Sequence, residues 1–166
     1  MRKPLIVCRI VFWCLAAFIA AFIFVNSAQT AEASTTISSE VSNGIFTVLW
    51  AEYSELPETE QIVIIKDSQL LVRKSAHFVA YCVLAFCICG AMNTYKLKKI
   101  MIILFSWCGA TAYAVSDEVH QLFVEGRAGR AYDVVLDSAG AAAGVALLML
   151  FMILYNFSKR RSKSVR

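Results

Sequence analysis

Charge is scarce in this chain. Of its 166 residues, 17% are Asp, Glu, Lys or Arg and 59% are hydrophobic, and the mean hydropathy is +0.64. That balance excludes an ordinary water-soluble domain, and the length allows one compact unit. Acid is missing altogether from residues 1–31, 68–116 and 138–166. Histidine occurs twice, at His77 and His120, without the tight ligand spacing of a metal motif, so neither a metal nor another cofactor is expected. None of the six cysteines (Cys8, Cys14, Cys82, Cys87, Cys89, Cys108) lies in a polar loop, which excludes a disulfide framework. Within hydrocarbon they serve as small hydrophobes. Repeats, low-complexity tracts and linkers long enough to separate domains are also missing.

What is present is four apolar runs, at about residues 5–25, 76–92, 100–115 and 134–157. Each approaches the ~20 residues a helix needs to cross ~30 Å of hydrocarbon. The second and third are short, so their helices are expected to continue into the polar residues beside them. The expected fold is therefore all-α: an integral membrane four-helix bundle over residues 5–157, followed by a basic tail at 158–166. Arg2, Lys3, the first run and Ala31-Glu32-Ala33 also have the outline of a secretory signal. The run exceeds the ~7–15 residues of a signal core, so a retained helix is expected.

The charges orient this bundle. Between Asn26 and Val72 stand seven acids (Glu32, Glu40, Glu52, Glu55, Glu58, Glu60, Asp67) and the single base Lys66. Acid-free basic groups occur at Arg2, Lys3 and Arg9, at Lys96, Lys98 and Lys99, and at Lys159, Arg160, Arg161, Lys163 and Arg166. The positive-inside rule places those bases, and with them both termini, in the cytoplasm of a multi-pass protein. The sequence pI of about 8.8 then reflects contact with anionic inner-leaflet lipid and no nucleic-acid partner. In the first outer loop, Ile37, Val41, Ile45, Val48, Leu49 and Tyr53 recur at three- and four-residue steps. That predicts an amphipathic helix, capping the bundle or lying in the interface, with Gln61–Val72 as a second amphipathic stretch after the break at Leu56-Pro57-Glu58.

The remaining five acids, Asp117, Glu118, Glu125, Asp133 and Asp137, gather with two bases in and around Ser116–Asp133. Polar groups at a membrane boundary are costly unless they pair, bind something or reach water. Helical spacing collects them into stripes: Lys74, His77 and Tyr81 on the second span, Tyr113, Asp117, His120 and Gln121 on the third, Asp133, Asp137, Gly140 and Gly144 on the fourth. Three stripes at one depth are expected to converge inside the bundle. Gly140 and Gly144 form a small-x-x-x-small face for close helix approach, read as packing within the chain. Gly126 and Gly129 let Arg127 and Arg130 fold back over the bundle.

Lys74-Ser75-Ala76-His77-Phe78-x-x-Tyr81, then Ser116-Asp117-Glu118-x-His120-Gln121-x-Phe123-x-x-Gly126-Arg127-x-Gly129, then Asp133-x-x-x-Asp137-x-x-Gly140-x-x-x-Gly144, occur in that order. In these motifs the chain resembles the VanZ-like membrane proteins across all four spans. The resemblance implies a place in the bacterial cell membrane and a role in the cell envelope. The family is named for a protein associated with resistance to teicoplanin, a glycopeptide antibiotic acting at the outer membrane face.

Three functional classes follow. In the first, the outer cluster binds an anionic lipid, a wall precursor or a glycopeptide antibiotic. Lys74, Arg127 and Arg130 would hold the anion, since guanidinium offers a bidentate fork. His77, Tyr81, Asp117, Glu118, Gln121, Asp133 and Asp137 would line the site and order those bases. In the second, His77 or His120 acts as general base on a lipid headgroup or lipid-linked precursor beside Asp117 or Glu118. In the third, the cluster is an ion lock in a structural or regulatory subunit. The residues alone leave all three open, and no catalytic activity is required of the chain.

Overall fold

In hydrocarbon every backbone N–H and C=O must find its partner within the segment, so long apolar runs become helices. The computed structural model describes residues 3–164, and all regular structure among them is helical. In chain order come α1 (Lys3–Ser27), α2 (Ala31–Leu49), a 3-10 turn (Ala51–Glu55), α3 (Glu58–Met92), α4 (Lys99–Gln121) and α5 (Ala131–Ser164). Helices α1, α3, α4 and α5 are each long and apolar enough to cross a membrane, which makes the chain a multi-pass membrane protein. Arg2 and Arg166, assigned above to the basic groups, lie outside the described residues.

The spans do continue into their polar flanks. The 35 residues of α3 run without a break from just after Pro57 to Met92. Gln61–Val72 leads straight into the second span as part of the same helix. At 1.5 Å per residue α3 is roughly 50 Å long, well beyond the ~30 Å hydrocarbon layer. Its excess length carries the first half toward α2.

The four spans alternate in direction. At one end Arg9 of α1 donates from Nε to Thr94 Oγ1 (2.9 Å) and lies over the Tyr95 ring (3.8 Å), so the start of α1 sits beside the α3–α4 turn. At the opposite end, α2 and the loop 122–130 close the bundle. There the backbone N–H of Ala31 donates to the Glu125 carbonyl oxygen (3.2 Å).

Helix α3 is the hub, packing on each of the other four helices. Its tightest neighbour is α5. A Cβ placed on Gly140 would collide with the Phe78 carbonyl oxygen, and one on Gly144 with that of Cys82. Both pairs are four residues apart, so the two helices approach along one matched ridge, within the chain as expected. Small buried residues continue the contact: Ala85 and Cys89 on α3, Ala110 on α4, Ala141 and Val145 on α5. On α1, Phe12 fills the notch left by Gly90. Phe18, Phe22, Phe151 and Leu154 stay exposed, as befits side chains that meet lipid.

The amphipathic helix α2 forms where the hydrophobic spacing puts it, starting at Thr30, whose hydroxyl accepts from the Ala33 N–H (3.3 Å). Its inward face is a surprise. Ser34, Ser38 and Ser42 are buried, and Gln69 of α3 donates to Ser39 Oγ (2.7 Å). Ile37, Val41, Ile45, Val48 and Leu49 are exposed, Ile37 and Val41 at the edge of the space between α2 and α1. The apolar stripe is thus left for a hydrocarbon environment, and the small hydroxyl stripe is what lets α2 settle against α3.

Candidate functional site

The close α3–α5 contact sets the register of the polar end. One turn and two turns before Gly144 on α5 come Gly140 and Asp137, and a further turn back is Asp133. These carboxylates face the outgoing side chains of α3. Lys74 Nζ meets Asp133 Oδ1 at 2.5 Å, with both side chains about three-quarters buried, and its ammonium also lies 4.6 Å from the Tyr132 ring centre. His77 Nδ1 stands 3.8 Å from Asp137 Oδ2, too far for a hydrogen bond. Asp137 is 1% exposed and neither of its oxygens has a hydrogen-bond partner. The Tyr81 hydroxyl, one turn deeper, is buried and unpartnered as well.

Helix α4 contributes two buried acids and an amide. Asp117 Oδ2 accepts from Ser27 Oγ of α1 (2.8 Å) and from Gln121 Nε2 (3.2 Å). Glu118 Oε2 accepts the backbone N–H of Arg130 (2.8 Å), and its Oε1 lies 3.3 Å from Gln121 Nε2. Glu118 therefore ties the loop back onto the helix that precedes it. Two glycines make that fold possible. Gly126 has φ +71°, which L side chains rarely adopt, and a Cβ on Gly129 would press on the Glu118 carbonyl oxygen.

The folded loop carries Arg127 over the bundle, where its guanidinium donates from Nη2 to the Asn26 carbonyl oxygen at the end of α1 (3.1 Å). Its Nε is buried without a partner. Burial first, and then the neighbouring Arg73 charge, pushes the Arg127 guanidinium below its ordinary value, against the pull of Asp117 and Glu118. Among the described residues the close ion pair is Lys74–Asp133, the 3.8 Å His77–Asp137 contact is ionic only with the imidazole protonated, and neither Arg73 nor Arg127 belongs to either.

Two cavities meet here. The first, about 140 Å³, is polar and is lined by Arg73, Lys74, His77, Glu118, Gln121, Arg127, Arg130, Asp133 and Asp137. The second, about 240 Å³, lies between α1, α2 and α3 and is mostly apolar. Arg73, His77 and Arg127 line both.

Most of the residues chosen from spacing come together. Lys74, His77, Glu118, Gln121, Arg127, Arg130, Asp133 and Asp137 share the polar cavity, while Tyr81 and Asp117 sit beneath it, outside its lining. His120 does not join them: its ring stacks on Phe24 of α1 at 4.6 Å. Lys74, expected to be available to an anion, is already matched by Asp133. Spacing missed Arg73, although a step of four back from His77 reaches it. It also missed Asn26 and Ser27, which no pattern in the apolar first run singles out.

The family model described as VanZ/LLP1 matches residues 12–154, and the chain belongs to that family. No curated protein and no solved structure matches the sequence at a significant level.

Proposed function

Taking membership of the VanZ/LLP1 family as the premise, we propose that the chain is a cell-envelope protein that binds an anionic group at the Arg73–Arg127 cavity. It would reside in the bacterial cell membrane with both termini in the cytoplasm, which the distribution of basic residues supports. The polar end then faces outward. The observation that carries the reading is a pair of guanidiniums lining one cavity with no carboxylate matched to either. Two like charges side by side repel each other, and a phosphate or carboxylate between them relieves that repulsion while taking up their donors.

The candidate ligands are an anionic lipid, a wall precursor or a glycopeptide antibiotic, all reachable at that face. Sequestering such a ligand would lower glycopeptide action, in keeping with the resistance association behind the family name. Orientation is tested by labelling in a cysteine-free background. Ala128→Cys should react with a membrane-impermeant maleimide in intact cells, and Lys96→Cys only after lysis. Binding is tested by comparing anionic with zwitterionic vesicles. Arg73→Gln with Arg127→Gln should remove the preference for the anionic ones, and an undiminished preference in the folded double variant would contradict the proposal.

A reaction on the same headgroup is the second reading. It is favoured by the unpartnered Asp137 carboxylate beside His77, an arrangement that could orient an imidazole as base once a substrate closes the 3.8 Å gap. It predicts turnover of a lipid-linked substrate that His77→Ala abolishes.

A further inference from the structure

The apolar cavity is not explained by binding a soluble anion. It lies where α1 and α2 diverge. Each of these helices packs on α3, but they hardly pack on each other. The gap is walled by Phe22 and Ile23 from α1, Ile37 and Val41 from α2, and Val72 and Ala80 from α3. Phe22, Ile37 and Val41 are exposed on its margin, so it opens sideways. Phe22 belongs to a span, and that side is therefore hydrocarbon. The inner end of the same gap is the set of residues it shares with the polar cavity: Arg73, His77 and Arg127.

This places an apolar slot open to lipid directly against two unmatched guanidiniums. A neutral lipid in the slot would leave those charges unbalanced at its head. A free anion between the guanidiniums would leave the slot unused. One molecule satisfies both. We infer that the two cavities form a single site for an anionic phospholipid that enters sideways between α1 and α2, its phosphate between Arg73 and Arg127 and its chain along the slot.

The inference rests on the reading of the polar cavity as an anion site and adds the chemical class of the ligand and its route. The phosphate would take the buried, unpartnered Nε of Arg127 together with the Arg73 donors. The headgroup beyond it would extend toward Gln121 and Arg130, and the acyl chain would run past Ala80 between Phe22 and Val41. Serine on the inner face of α2 fits this role. Ser34 and Ser38 line the slot without filling it, where larger side chains would.

The test uses the full chain, purified in a non-ionic detergent. Native mass spectrometry measures its binding of dioleoyl-phosphatidylglycerol against dioleoyl-phosphatidylcholine, and glycerol phosphate serves as a tail-less competitor. Two variants block the slot from opposite walls, Ala80→Trp from α3 and Ile37→Trp from the exposed side of α2. Arg127→Gln removes a head contact.

The expected result is preference for phosphatidylglycerol, weakened about tenfold or more by Arg127→Gln, as for loss of a charge-assisted hydrogen bond. A similar loss is expected in both slot variants, with no displacement by millimolar glycerol phosphate. If the slot variants bind phosphatidylglycerol like the parent while Arg127→Gln does not, the anion site stands and the single-site inference fails. Displacement by glycerol phosphate alone has the same meaning. If Arg127→Gln binds like the parent, the anion reading itself fails. Should Ala80→Trp disturb folding, as judged by its circular dichroism and elution volume, Ile37→Trp at its exposed position decides.

Discussion

Substituting Gly144 by Ala tests the contact that sets the whole polar end in register. A Cβ there would overlap the Cys82 carbonyl oxygen, a backbone atom of the facing helix that no side-chain rotation can move aside. Helix α5 must then shift away from α3. Overpacking of this kind costs about 1–3 kcal/mol. An Ala in a helix otherwise gains roughly 1 kcal/mol over Gly, which would mask part of the loss. Gly109→Ala on α4 supplies the correction, since nothing lies within 4 Å of a Cβ at that position. The propensity gain is common to both variants, so the difference between them isolates the clash at about 1–3 kcal/mol. For a chain of this size that corresponds to a gap of roughly 2–12 °C in melting temperature. A thiol-reactive dye can follow the melt, because Cys87 and Cys89 are buried on α3 and Cys82 is half-buried there, while exposed Cys8, Cys14 and Cys108 can be blocked beforehand. The same shift would move the α3 and α5 walls of the polar cavity apart, so lipid binding should weaken with stability. If Gly144→Ala melts together with Gly109→Ala, the close α3–α5 approach is wrong, and the register of the site with it.

Three further outcomes follow from the polar end. Asp137→Asn keeps the shape but removes a buried carboxylate that has no hydrogen-bond partner and stands 3.8 Å from His77, so with His77 neutral stability should stay level or rise by about 1 kcal/mol or more; a loss of over about 2 kcal/mol in thermal melts would mean that a protonated His77 pairs with it. Glu118→Gln weakens the acceptor that anchors the Arg130 N–H, an interaction of about 1.5–3 kcal/mol, and hydrogen exchange should quicken over residues 122–130 before it does elsewhere. For Lys74→Met and Asp133→Asn, a double-mutant cycle should give a coupling of about 1 kcal/mol, and no coupling would show that the pair is not formed in the membrane.

The spans were legible because a stretch of hydrocarbon side chains long enough to cross a bilayer has few other uses. Their ends were less so. The second apolar run begins at Ala76, yet its helix starts at Glu58, since hydropathy reports environment and not where a helix begins. Convergence of the three stripes was readable from spacing, and Lys74 with Asp133 and His77 with Asp137 came out as neighbours. Spacing was too coarse to separate His120 from Gln121. Successive helical residues diverge by about 100°, so Gln121 reaches the cavity while His120 turns onto Phe24 of α1. The same coarseness favoured Lys74 over Arg73, both of which line the cavity. The contribution of α1 was invisible. Asn26 acts through its backbone carbonyl and Ser27 through one hydroxyl, and neither is distinctive at the end of an apolar run. On α2 nothing marks the serines as the buried side, because in water apolar faces turn inward. Beside a membrane that preference reverses.

An experimental structure of the chain in nanodiscs rich in phosphatidylglycerol would test the central claim most directly. Headgroup density should bridge the guanidiniums of Arg73 and Arg127, with an acyl chain continuing between α1 and α2 past Ala80. Both guanidiniums turned instead onto Glu118 and Asp137, with no density between them, would contradict it and leave the cluster as an ion lock.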